Sequence, residues 1–498
     1  MIRFIKIISS ALLVLLAYLL VFKYIHNDNS HGYKLFFLRK DILTEVRFDY
    51  LLFSAALGFG IIYFAQNSEK YGRVFLIASI LSLALILNLF IHRPTDYSWN
   101  IRVISNLTAT INPFFTKGLN IISPSSYPQE HVKFARKGYR NVYAEESRLT
   151  SYPPGLPLLY YCLSVFSDKN PYLSIFFYRT GWQQLNAFSG ESGFDIPLDN
   201  KKFISTSYFA VILTLLAYLF MLVMAYFLAL MLSDSEKAAY ALCFLIFMPS
   251  IQLFSNTSDI FFPSLSLLVV YVLMRGLIKD NSLLVMSSGI ILICSLFFTF
   301  AFLPLIPISF LIILFSSIGN KRLVPTLIKN YGLWFSGLMG AFMILWFMGY
   351  NTVEMCLIAL KTNREFYQLF DRTYILSMPL NILELLYFTG FIPLAYLFYL
   401  VFSKMKYKIE SIKSHVINFE PMEALFFSFV IVLLVLILSG GARGEVARNW
   451  LMYFPLIAMS VAVCGSFDKL SFRRLSIYLL AILLVISSVT EVTFCFWT

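Results

Sequence analysis

One carboxylate stands where a long apolar run gives way to polar sequence: Asp96, in His92-Arg93-Pro94-Thr95-Asp96-Tyr97. A carboxyl group against an apolar wall at a membrane boundary is partly desolvated, which raises its proton affinity, and fixed geometry can aim it at a bound hydroxyl as a general base. The plainer reading is a turn Asp paired with Arg93 or Arg102, because interfacial carboxylates are common. A second group lies far along the chain, in Gly440-Gly441-Ala442-Arg443-Gly444-Glu445-Val446-Ala447-Arg448-Asn449. Two guanidinium groups in a glycine-rich turn suit a phosphate, which they can hold through paired N–H donors. The plainer reading there is an interfacial Arg–Glu ion-pair cluster. Between these groups, Tyr152-Pro153-Pro154-Gly155 denies the backbone a helix until Gly155 and leads Leu159, Tyr160 and Tyr161 into an interfacial helix. Asp259, in Asn256-Thr257-Ser258-Asp259, reads first as the cap of the helix that follows. Glu384, with Asn381, stands where another apolar span begins and could face the same cavity.

These residues hang on hydrophobic helices. The chain is 59% hydrophobic and only 13% charged, with mean hydropathy +0.75, whereas a soluble domain carries about a quarter charged residues. Roughly 20 apolar residues suffice to cross the hydrocarbon layer as a helix. Charge-poor runs place spans at 4–22, 50–66, 73–91, 203–232, 238–255, 258–275, 283–299, 302–317, 331–349, 380–402, 423–439, 450–465 and 474–491. The fold class is therefore all-α, a polytopic helical membrane protein with about 13 transmembrane helices. A barrel would show segments of about ten residues alternating in polarity, and the chain has none. Residues 1–72 carry two amino-terminal helices, the first a retained helix rather than a cleaved signal. Residues 73–498 form one membrane domain with a long polar loop at 92–202.

The net charge of +12 comes from Lys and Arg lying between apolar segments and not from a continuous basic stripe, which excludes a nucleic-acid partner. With the amino terminus inside, Lys70, Arg73, Lys237, Arg275, Lys279, Lys321, Arg322 and Lys469 all fall on the inner face, as retention of basic loops requires. The turns 256–258 and 300–301 have no Lys or Arg and fall outside. Leu156–Phe166 is apolar but short; were it to cross, every later basic loop would change sides, so it is expected to lie in the outer interface or to re-enter. The loop 92–202, the loop 350–379 and the turn Gly440–Asn449 then share the outer face. A loop of over a hundred residues is too long for a mere connector. Six cysteines without metal-ligand spacing indicate neither a zinc site nor a disulfide framework.

A long first outer loop opening with an Asp, a Tyr-Pro-Pro-Gly stretch leading into an interfacial helix, and a helix pair running from Met248-Pro249-Ser250 to Ser258-Asp259 together resemble the GT-C superfamily of membrane glycosyltransferases. That superfamily includes protein O-mannosyltransferases and aminoarabinose transferases, and the resemblance covers roughly residues 73–317, with the Arg443–Arg448 turn similar to a late outer-loop motif. The resemblance implies an inverting transferase that moves a sugar from a polyprenyl-phosphate donor to a lipid, glycan or protein acceptor. Asp96 would be the base, Arg443 and Arg448 would hold the donor phosphate, and Tyr152, Pro153, Pro154 and Gly155 would shape the cavity, with Glu445, Asp259 and Glu384 near it. Tyr97 stands where many members have a second carboxylate, so a divalent metal is not indicated, although none is excluded and the cofactor is unknown. A second departure is the pair of amino-terminal helices in residues 1–72, ahead of the span that leads into the Asp-bearing loop, where many members have one helix before that loop. Membrane lipids are the other expected partner. The expected location is a bacterial plasma membrane rather than the endoplasmic reticulum, active on the extracytoplasmic face. A flippase or transporter of lipid-linked glycans, a glycan polymerase or ligase, and a non-catalytic assembly subunit are the alternatives.

Overall fold

The computed structural model describes residues 48–91, 103–104, 106, 113–138, 148–192, 200–318, 323–369, 373–413, 419–440, 446–465 and 467–493. Among them every regular element is helical: α1 (Phe48–Gln66), α2 (Arg73–Ile91), α3 (Phe114–Leu119), α4 (Tyr127–Ala135), α5 (Gly155–Lys169), α6 (Pro171–Ser192), α7 (Lys201–Leu232), α8 (Ser235–Ile246), α9 (Pro249–Phe254) and α10 (Phe261–Ile278). There follow α11 (Ser282–Leu296), α12 (Leu305–Ser317), α13 (Leu323–Phe347), α14 (Thr352–Leu369), α15 (Tyr374–Thr389), α16 (Ile392–Lys413), α17 (Pro421–Ser439), α18 (Val446–Asn449), α19 (Phe454–Cys464) and α20 (Lys469–Thr493). The span expected at 4–22 lies outside the described residues.

Among the described residues six segments are long and apolar enough to cross a membrane: Asp49–Gln66, Arg73–Ile91, Lys201–Leu232, Ser258–Ile278, Phe300–Ser317 and Pro421–Ser439. They match the spans expected from hydropathy at those places. Counting two bent pairs as one span each gives up to eight, so several expected spans take another form. The stretch 238–255 is broken into α8 and α9, because Pro249 has no N–H to continue the helix. The carbonyl of Ile246 freed at that break accepts from Gln252 Nε2 at 2.8 Å, which satisfies a backbone group inside an apolar bundle. Gln252 in turn accepts from buried Asn88 of α2 at 2.9 Å and donates to Tyr218 OH of α7 at 2.9 Å. The expected span 380–402 is two helices, α15 and α16, bent by 109°. Gly390 ends α15 with φ +82° and Phe391 follows at +59°, a left-handed reversal that needs glycine to form without strain. The helix α13 likewise ends at Gly349, φ +82°, and α14 leaves at 86° to it.

The bundle has two ends, named outer and inner after the loops expected there. At the inner end Lys469 pairs with Glu69 at 2.7 Å and Lys237 Nζ donates to the Val463 carbonyl at 3.5 Å. At the outer end Tyr453 OH donates to the Ala301 carbonyl at 3.0 Å, and Phe262 packs edge-on against Phe302. The 3-10 turns Ser258–Ile260, Phe300–Phe302 and Leu451–Tyr453 lie there. The amino-terminal α1 packs on α2, through Phe53 and Phe90 with ring centroids 4.7 Å apart, and on α20, where Gly58 meets Leu480.

The segment Leu156–Phe166 begins and ends at the same end of the bundle. Its helix α5 starts with Gly155 N donating to the Phe297 carbonyl at 3.0 Å and ends with Ser167 bonded to Ser205 at 2.7 Å. Phe297 closes α11 and Ser205 opens α7, so both ends of α5 are at the outer end. A 22-residue helix, α6, continues where a polar loop was expected. Its Phe177 packs on Tyr208 and Phe209 and its Gly181 on Ile204 and Tyr208. Those partners belong to the first turns of α7. At 32 residues α7 is about 48 Å long against an apolar layer of about 30 Å, so it has length to spare for this hairpin.

Candidate functional site at the outer end

The turn before α10 is set by Thr257, whose Oγ1 accepts from the Asp259 backbone N–H at 3.3 Å. Asp259 therefore does not cap α10, as its position led us to expect; Thr257 caps the 3-10 turn before it, α10 itself has no side-chain cap, and the carboxylate is left for another partner. It meets Arg448: Nε donates to Oδ2 at 2.7 Å and Nη2 to Oδ1 at 3.4 Å. The Asp259 side chain is 4% exposed and that of Arg448 13%. A two-point contact to a desolvated carboxylate fixes the guanidinium plane and neutralises its charge. Arg448 comes from the single-turn helix α18, which packs on α9 and α15. The plainer sequence reading, an ion pair, thus describes Arg448, with Asp259 rather than Glu445 as the partner described.

The Tyr-Pro-Pro-Gly stretch reaches the same place through Tyr160. Buried at 1% exposure, Tyr160 faces Ser258 and Asp259; burial raises its pKa most, the Asp259 charge adds to the rise, and the Ser258 hydroxyl opposes it. Its hydroxyl therefore stays protonated and can serve as a donor. Within that helix Leu156, Tyr160, Ser164 and Ser167 are the buried stripe of α5, a helical spacing that turns them toward the bundle. Gly155 is required where it stands, because a Cβ there would lie 2.4 Å from the Phe297 carbonyl oxygen.

Tyr152 is held from above. Its carbonyl lies 2.8 Å from His131 Nε2 and its ring packs on Phe114 at 5.1 Å. A carbonyl only accepts, so Nε2 carries the proton, and Nδ1 accepts from Tyr127 OH at 3.3 Å. Burial lowers the His131 pKa to about 4; the bond to Tyr152 opposes this and the Lys117 charge assists it. The imidazole is a neutral strut between α4 and the proline stretch.

Pro153 and Pro154 are buried at the start of α5. Glu384 and Asn381 are buried on α15, the helix that abuts α9 and α18. Asp96, Arg443 and Glu445 lie outside the described residues. The structure thus brings together Asp259, Arg448 and the helix that follows Tyr152–Gly155, with Glu384 on the neighbouring element. Sequence reasoning passed over Tyr160, although the spacing of its stripe from Leu156 carried the signal, and over His131, for which no local pattern points to Tyr152. Among the described residues no three His, Cys, Asp or Glu side chains converge as a metal cage. No family, no curated protein and no solved structure matches the chain.

Proposed function

We propose that this chain is an inverting glycosyltransferase of GT-C type, with about 13 membrane spans in all, which uses a polyprenyl-phosphate sugar on the extracytoplasmic face of a bacterial plasma membrane. The observation that carries the reading is the buried Asp259–Arg448 pair. It joins the Ser258-Asp259 turn to the arginine-bearing turn 189 residues later, beside the helix that the Tyr-Pro-Pro-Gly stretch begins. A lipid-linked sugar keeps its tail in the bilayer and its phosphate at the interface, so donor handling requires apolar walls and polar groups at one depth.

In this reading Asp96 takes the proton of the acceptor hydroxyl as that oxygen attacks the anomeric carbon. The bond from that carbon to the phosphate oxygen breaks, and the prenyl phosphate leaves with the electron pair and inversion at carbon. Because Asp259 neutralises Arg448, the net positive charge for the phosphate falls to Arg443, and Arg448 orients. Purified full-length protein supplied with radiolabelled prenyl-phosphate sugar and acceptor is expected to release prenyl phosphate, and Asp96→Asn to abolish release while remaining folded and inserted. Full activity in Asp96→Asn rejects the base. A flippase would move the label across a vesicle without cleaving it, and the spans between 203 and 317, nearly free of charge at their centres, lack the midplane ionisable residues such a carrier uses.

A further inference from the structure

The loop expected at 350–379 contains an 18-residue helix, α14, whose circumference is divided into three faces. Thr352, Met355, Ala359 and Thr362 are buried against the bundle. A second face meets α4: Met355 and Ile358 cluster with Val132 and Ala135, and just past α4 Arg136 Nε donates to Glu354 at 2.6 Å and the Glu365 carboxylate lies against Gly138, 3.4 Å from where a Cβ would stand. The third is exposed and, as far as Leu360, apolar, with exposed Lys361 beside it one turn beyond Leu357. It consists of Val353, Leu357 (62% exposed) and Leu360, spaced at helical intervals on one side. Around the elbow at Gly349 this stripe continues onto Ile344, Phe347 (81% exposed) and Met348, the last turn of a long apolar helix. The helix α13 packs along α11 in the bundle and α14 leaves it at 86°, so α14 runs across the direction of the bundle helices, as a helix lying in the membrane plane does.

We propose that α14 is an in-plane helix whose third face is seated among the acyl chains of the leaflet at the outer end, with α4 resting on its second face. Lipid is the occupant because the stripe adjoins the exposed apolar side chains of α13, Phe335, Met343, Ile344 and Phe347, and has no charged residue among Val353, Leu357 and Leu360. Arg364, one heptad beyond Leu357, is exposed at the far end of the helix, where a long side chain carries its charge out to the headgroups. The three faces make α14 a shelf that sets the depth of α4, and through His131 the depth of the Tyr152–Gly155 stretch. The inference does not depend on glycosyl transfer.

The test uses unmodified full-length protein in phosphatidylcholine vesicles containing a phosphatidylcholine with a photoactivatable diazirine in its acyl chain, and maps adducts by mass spectrometry. Adducts are expected at Leu357 and Leu360 in yield comparable to Phe347, and none at 127–138. Labelling of Phe347 without labelling of 353–360 overturns the proposal, whether water or a second copy of the chain covers that face.

Discussion

Two ion pairs of equal length, 2.7 Å, sit at opposite ends of the bundle: Asp259–Arg448 at the outer end and Glu69–Lys469 at the inner. The outer pair is 4% and 13% exposed, whereas Glu69 is 57% and Lys469 50% exposed. In the first, both charges have left water and depend on each other; in the second, each keeps its hydration and the attraction is screened. Distance alone would rank them equal. Burial separates a built polar site from a solvated fastening between loops.

The largest expected effect follows from leaving one outer charge alone. Arg448→Ala should cost about 3–5 kcal/mol by stranding Asp259, read as a marked loss of thermal stability by size-exclusion after heating. The double variant Asp259→Asn/Arg448→Gln, neutral and still hydrogen-bonding, should recover most of it. If Arg448→Ala unfolds no earlier than the parent, the pair is not desolvated as described.

Acid should weaken the outer end in a defined window. The His131 pKa is lowered to about 4 in the folded chain against about 6.5 when unfolded. Between these values the unfolded chain binds the extra proton, so stability is complete above pH 6.5 and declines as pH falls toward 4, by on the order of 3 kcal/mol. His131→Gln should be less stable at pH 7 but lose less on acidification, so parallel pH curves for the two proteins would contradict the neutral strut. Gly155→Ala should cost about 1–3 kcal/mol through collision with the Phe297 carbonyl. At the inner end, Lys469→Ala should change stability by only about 0–1 kcal/mol. A larger loss there would erase the contrast between the two ends.

What the sequence made legible follows the same division. Long charge-free runs such as Val74–Ile91 and Phe427–Leu438 had to become helices that cross or line the bundle, because hydropathy alone dictates them. The reversals at Gly349 and Gly390 were not legible, since each turns on one residue's positive φ inside an apolar run. The helix α6 was read as loop because Arg179, Gln183, Gln184 and Asn186 interrupt its apolar residues. The helix α14 was hidden for a related reason: three faces with different surroundings blur the two-faced pattern that marks a surface helix. At the site, residue types and order were readable, but the partner was not. Nothing near Asp259 in sequence indicates that its carboxylate goes to Arg448, and the helical stripe that turns Tyr160 inward becomes informative only once Gly155 is known to start the helix.

The central claim is that the buried pair serves a phosphate-bearing donor and is more than a fastening. Binding of prenyl phosphate to purified protein in lipid nanodiscs tests it most directly, with Asp259→Asn/Arg448→Gln as the comparison because that pair keeps its shape and its zero net charge but loses the guanidinium that orients the phosphate. Loss of an oriented charged donor, at about 1.5–3 kcal/mol, predicts roughly ten- to hundredfold weaker binding. Equal affinity in the parent and the double variant would contradict it.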